Sequence, residues 1–103
     1  MKIVLDELRR HLLVESMGKT VLSLDDFPII DLRSQLREWI TTVSEEEPRT
    51  FCFESDSKEL HGLFRIEARS LNWQFTSWKE LARSPELLTL AEWRSVLSQC
   101  GIR

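Results

Sequence analysis

In the segment 27–43, FPIIDLRSQLREWITTV, apolar residues fall at Ile29, Leu32, Leu36, Trp39 and Val43. Those steps of three and four line one face of a helix. Ile40 widens the face, while Asp31, Arg33, Ser34, Gln35, Arg37, Glu38, Thr41 and Thr42 hold the others. A lone helix of this length is marginal in water, so the stripe requires cover from elsewhere in the chain. Asp25-Asp26-Phe27-Pro28 predicts a start close to Pro28, since Asp supplies acceptors and charge to the free N–H groups and Pro tolerates the first turn. The run Ser44-Glu45-Glu46-Glu47-Pro48 predicts a stop near Val43, because three negative charges meet the negative end of the helix dipole and Pro cannot continue it. The predicted helix therefore covers 28–43.

From Arg49 onward the period falls to two. Phe51 and Phe53 share one strand face, with Cys52 and Glu54 on the other. Ser55-Asp56-Ser57-Lys58-Glu59 reads as a polar turn. In 60–69, the set Leu60, Gly62, Phe64, Ile66 and Ala68 alternates with His61, Leu63, Arg65, Glu67 and Arg69, as an antiparallel sheet with one wet face requires. A turn at Ser70-Leu71-Asn72 leads to a strand in which Trp73, Phe75 and Ser77 oppose Gln74, Thr76 and Trp78. The result is a three-stranded meander whose inward rings can cover the helix. The segment 79–83 has room for no more than a turn of helix. Ser84-Pro85-Glu86 then reads as a second helix start, an N-cap, a first-turn Pro and an acid, opening a stripe of Leu87, Leu90, Trp93, Leu97 and Cys100 with Gly101 just past its end.

Residues 2–24 admit two readings. Leu12 and Val14 alternate with Leu13 and Glu15, Met17-Gly18 supplies a turn, and Val21-Leu22 begins a return strand, so a hairpin is the preferred one. Its first strand can begin as early as Ile3. The alternative makes 4–12 a short helix, since LDELRRHLL is rich in helix formers.

Composition narrows the class of protein. With 103 residues, 42% hydrophobic and 30% charged, the chain is sized for one globular domain with one core. Four Trp, five Phe and no Tyr make that core heavy in large rings. The predicted core comprises Ile29, Leu32, Leu36, Trp39, Ile40, Phe51, Phe53, Phe64, Ile66, Trp73, Phe75, Leu90, Trp93 and Leu97. A formal charge of −3 with scattered Arg argues against a nucleic-acid binder, which needs a basic face. No apolar run reaches the roughly 18 residues of a membrane helix, and MKIVLDELRR becomes charged too soon for a signal peptide. The expected setting is the cytoplasm, with Cys52 and Cys100 free and half-buried.

Catalytic signatures are missing from the sequence. His11, His61, Cys52 and Cys100 are too dispersed for a metal site, so no metal or cofactor is expected. No Gly-rich nucleophile turn or phosphate loop occurs. Any two of the 17 carboxylates could still meet in the fold for acid–base work, although Glu54, Glu67 and Glu92 fall at solvated positions. Two features are candidate partner-binding groups. Glu45-Glu46-Glu47 is either a solvated loop or a docking site for a basic partner. Trp78 points away from the core by strand parity, and either packs under 79–84 or stands exposed as a binding anchor.

The succession DDFPIIDLRSQLREWI, RTFCFESD, LFRIEARSLNWQFTSWKE and SPELLTLAEWRSVL, spanning about residues 22–100, resembles small bacterial proteins of the toxin-immunity type. These include immunity proteins found beside polymorphic and contact-dependent growth-inhibition toxins. The likeness rests on the Phe-Pro helix start, Trp39 at the helix end, the aromatic strand and the Trp73–Trp78 stretch. The resemblance implies a single cytoplasmic α+β domain that neutralises a cognate toxin through an acidic surface. The fold expected is α+β, with an antiparallel sheet of about five strands in the order β-β-α-β-β-β-α. The function expected is stoichiometric protein binding without catalysis. A subunit acting through homodimerisation and a small enzyme remain as alternatives, and either a monomer or a homodimer fits the sequence.

Overall fold

The computed structural model describes residues 1–102. In chain order it contains β1 (Lys2–Asp6), β2 (His11–Ser16), β3 (Lys19–Leu24), α1 (Ile29–Thr42), β4 (Phe51–Cys52), β5 (Arg65–Arg69), β6 (Asn72–Thr76), a 3-10 turn at Lys79–Leu81, and α2 (Leu90–Gln99). The α+β class is the expected one. The expected single sheet of about five strands is instead two antiparallel three-stranded meanders, β1-β2-β3 and β4-β5-β6.

The additional strand arises at the N-terminus. The chain reverses at 7–10, where Arg10 takes a φ of 53° and the Arg9 N–H donates to Asp6 Oδ1 at 3.1 Å. Ile3, Leu5, Leu12 and Val14 are buried in strand alternation, while Leu8 at the turn is 99% exposed. A helix over 4–12 would have put Leu8 on the same stripe as Leu5 and Leu12, so that alternative is excluded. The hairpin at Met17-Gly18 is present, with positive φ at both residues as a two-residue primed turn requires.

The central helix runs as predicted, from Pro28 at its N-cap to Val43 at its C-cap. The capping reason differs from the expected one. No side chain caps the start: Asp25 is held by His11 Nδ1 at 2.8 Å, and Asp26 takes a left-handed φ of 56°. The stripe of α1 is buried throughout, and every residue of the predicted core is buried in one continuous cluster. Phe27 meets Phe53 with ring centroids 5.0 Å apart and Trp39 meets Phe51 at 5.9 Å. The rings continue from Phe51 to Phe64 and from Phe64 to Phe75, at 5.9 and 4.9 Å. The large rings of the second half thus close over the helix.

Two strand expectations need correction. Residues 60–63 form turns, so β5 begins only at Arg65 and the parity assigned from Leu60 does not hold there. Leu63, expected on the wet side, is 3% exposed. The start of α2 is also displaced, because 82–88 is spent on the outer edge of β6. Ser77 N donates to the Ala82 carbonyl, Ser84 N to that of Phe75, and Trp73 and Leu88 exchange both bonds. Ser84 therefore caps nothing. α2 starts at Leu90 under a capping box in which Glu92 N donates to Thr89 Oγ1 and Thr89 N to Glu92 Oε1, at 3.2 and 3.0 Å. Leu87, expected on the stripe, is half exposed.

Gly101, with φ 92°, ends α2 in the predicted left-handed cap. Ile102 N reaches the Leu97 carbonyl and Gly101 N that of Ser98, the paired bonds of a Schellman motif, with Leu97 and Ile102 both buried. Arg33 of α1 fixes this terminus. Its Nη1 donates to the Cys100 carbonyl at 2.7 Å, its Nη2 to that of Leu5 at 3.4 Å, and its Nε to Glu7 at 2.8 Å. Among the described residues no helix is long and apolar enough to cross a membrane.

Candidate functional site

Trp78 follows β6 with the parity read from the sequence and is 49% exposed. Its position is nevertheless fixed. The indole Nε1 donates to the His61 carbonyl at 3.0 Å, and a Cβ at Gly62 would meet Trp78 Cδ1 at 3.8 Å, an ordinary contact distance. Gly62 has a φ of 72°, so glycine serves the turn on which the indole N–H is held. Trp78 is thus half exposed, with its indole N–H on the 61–62 turn and Lys79 of the following segment lining the same cleft as the ring.

Beside it lies a cleft of about 240 Å³ lined by Leu24, Phe27, Leu60, Leu63, Asp25, Glu59, Lys79 and Trp78 itself. Its walls are drawn from β3, the loop before α1, the 57–63 turns and the segment after β6. These walls are largely apolar, and Asp25, Glu59 and Lys79 bring charges of both signs to the cleft. Leu24, Leu60 and Leu63 could not be assigned to this cleft from sequence, because it depends on how the two sheets meet.

Glu45, Glu46 and Glu47 form an exposed loop after α1, with Glu47 N bonded to Ser44 Oγ at 3.0 Å. None of the three makes an ion pair among the described residues, and none lines the Trp78 cleft. The two candidate features are thus not parts of one site.

A second, polar cleft of about 590 Å³ brings together Asp31, Gln35, Glu54, Ser55, Asp56 and His61. Gln35 holds it in shape, its amide bonding both the Glu54 N–H and carbonyl at 2.8 and 3.0 Å. His61 Nδ1 accepts from Ser55 N at 3.2 Å, which leaves Nε2 to carry the proton of the neutral ring. The cleft is shallow and open. Among the described residues no three His, Cys, Asp or Glu groups are placed to hold a metal ion. His11 is satisfied between Asp25 and Ser23.

A polar network missed in the sequence joins the two sheets. Buried Ser84 donates to Ser16 Oγ at 2.9 Å, Ser16 donates to Glu86, and the Met1 ammonium pairs with the same carboxylate at 3.0 Å. The Ser16 bond, opposed by burial and helped by the ammonium, holds the Glu86 carboxyl below its ordinary pKa. Its signal was the Ser-Pro-Glu run that resembles a helix start. Cys52 and Cys100 are free and half-buried, and burial raises the Cys100 thiol pKa against the opposing charge of Arg33.

No curated protein and no solved structure matches the chain. A family match covers residues 3–100, nearly the whole fold described above, and the chain therefore belongs to the family described as Domain of unknown function (DUF7878).

Proposed function

We propose that this chain is a stoichiometric, non-catalytic binding protein that engages a protein partner through Trp78 and the cleft beside it. The observation that supports this reading is the state of Trp78: half exposed, yet with its indole N–H already held by the His61 carbonyl. An aromatic anchor held in place before binding loses little conformational freedom when a partner arrives. The Asp25 and Glu59 carboxylates outnumber the Lys79 cation of the cleft and so favour a partner that presents a basic residue next to an apolar one. Glu45–Glu47 contributes at a distance, by attracting a basic partner, rather than as part of the contact. The finer role, a cytoplasmic immunity protein neutralising a cognate toxin, rests on the sequence resemblance alone.

Co-expression with the product of the adjacent gene tests the proposal. Co-elution on size exclusion, rescue from that product's toxicity, and loss of both in Trp78→Ala are the expected results. Failure of the wild-type chain to bind or rescue removes the toxin role. The alternative of a small enzyme has one footing, the polar cleft of Asp31, Glu54, Asp56 and His61. A turnover abolished in Asp56→Asn at unchanged stability would favour it.

A further inference from the structure

The outer edge of β1 is matched to itself. Of the four edge strands, β6 is closed by the backbone bonds of 82–88, and β4 spans two residues flanked by the Gln35 amide. β3 carries a register shift opposite Val14 and Glu15. β1 is regular over its five residues, paired only with β2.

Which backbone groups face outward follows from the register. Ser16 and Lys19 close the two-residue hairpin, so the even-numbered residues of β2 direct their N–H and C=O toward β3 and the odd-numbered ones toward β1. Glu15, Leu13 and His11 therefore bond Lys2, Val4 and Asp6. Ile3 and Leu5 are left with their backbone groups on the free edge. Arg33 reaches the Leu5 carbonyl from that side, a long contact that leaves a lone pair for another donor. Along this edge runs a groove of about 400 Å³, formed by residues 2–5 on one wall and Val96, Gln99 and Cys100 on the other.

We propose that β1 pairs antiparallel with β1 of a second copy, about a twofold axis at Val4, to make a six-stranded sheet across a homodimer. The strand reads Lys-Ile-Val-Leu-Asp. Reversed against itself about Val4, Lys2 faces Asp6 of the second copy and Asp6 faces Lys2, so two opposite-charge pairs form. Ile3 faces Leu5 in the same register, and these are the residues whose backbone groups point outward. The backbone phase and the charges thus select one register. Antiparallel pairing also allows axes at Ile3 or at Leu5, but neither forms the two ion pairs. Val4 meets Val4 across the axis as a pair without hydrogen bonds, extending the Val4–Leu13 neighbours on the outer sheet face. Lys2 has no ion pair among the described residues of one copy. This inference is independent of the Trp78 reading.

The test is a cysteine link in a Cys52→Ala, Cys100→Ala background. Val4→Cys would bring two Cα atoms about 4.5 Å apart, within disulfide range. It should give a linked dimer under mild oxidation, whereas Leu13→Cys, one strand inward, should not. By light scattering the wild-type chain should exceed its 12.2 kDa monomer mass, and Lys2→Glu should raise the dissociation constant about tenfold or more. A wild-type chain that stays monomeric at about 1 mM would overturn the proposal. So would a dimer that Lys2→Glu leaves unchanged, or equal linking of Val4→Cys and Leu13→Cys.

Discussion

The indole N–H groups of Trp39 and Trp73 converge on one acceptor, the Arg49 carbonyl, at 3.0 and 3.1 Å. One ring belongs to α1 and the other to β6, so the chain just before β4 is pinned between the central helix and the second sheet. Trp93 adds a third link, its Nε1 donating to the Trp73 carbonyl at 2.9 Å. Polar tips are thereby satisfied while the rings fill the core.

Truncating this junction should be costly. Trp39→Ala should lose about 3 to 5 kcal/mol, a large part of the roughly 5 to 15 typical of such a domain. Trp39→Phe keeps much of the ring volume and gives up the bond to Arg49, so it should cost distinctly less. Urea denaturation of both variants checks the order. An unchanged midpoint in Trp39→Ala would contradict the packing.

The start of α2 separates two superficially similar signals. Thr89→Ala removes the capping hydroxyl and should cost about 1 kcal/mol, with a loss of helical circular dichroism as the first turn of α2 frays. Ser84→Ala should leave helicity intact, because Ser84 serves the Ser16–Glu86 network instead. It should still destabilise the fold, by about 1 to 3 kcal/mol, through the unpaired groups it leaves. Equal loss of helicity in both variants would count against the observed cap.

How much of this was legible in the sequence depended on the range of the cause. The α1 stripe and the alternating aromatics are local periodicities, and every residue they assigned to the core is buried, although the core also takes in Phe27 and the inner face of the N-terminal sheet, Ile3, Leu5, Leu12 and Val14 among them. Gly101 was readable because a left-handed cap is a one-residue requirement. Ser84-Pro85-Glu86 misled because the same residues that suit a helix start also satisfy the edge of β6 and a buried network, and only tertiary pairing selects between them. Leu63 was misplaced when strand parity was extended through a turn. For the candidate site, Trp78 was visible from parity alone. The Leu24–Leu60–Leu63 wall of its cleft was not, since it comes from segments far apart in the chain.

The Arg33 junction makes a further prediction. Arg33→Ala removes the bonds to Cys100, Leu5 and Glu7 together and should cost about 2 kcal/mol. Gly101→Ala should be comparably harmful: its φ disfavours a side chain, and the new Cβ would lie 2.7 Å from Arg33 Nη1, displacing the guanidinium. Thermal denaturation of both variants checks this, and a neutral Gly101→Ala would contradict it.

Glu86 ties stability to pH. Its carboxyl titrates lower in the folded chain than in the unfolded one, chiefly because Ser16 donates to it. Its contribution is therefore complete above the ordinary carboxylate pKa and is lost as pH falls through the folded value. Ser16→Ala should lower stability at neutral pH and flatten the decline on the acid side of the ordinary carboxylate range, as followed by urea midpoints. A variant with an undiminished acid slope would show that other carboxylates govern it.

The most direct test of the binding account compares wild type and Trp78→Ala in the same two readouts, complex formation with the co-expressed partner and thermal stability. The prediction is that the dissociation constant rises about 30-fold or more, as for an interface hot spot, while the melting temperature moves by no more than about 2 °C. Binding retained at wild-type strength in a folded Trp78→Ala chain would contradict the account.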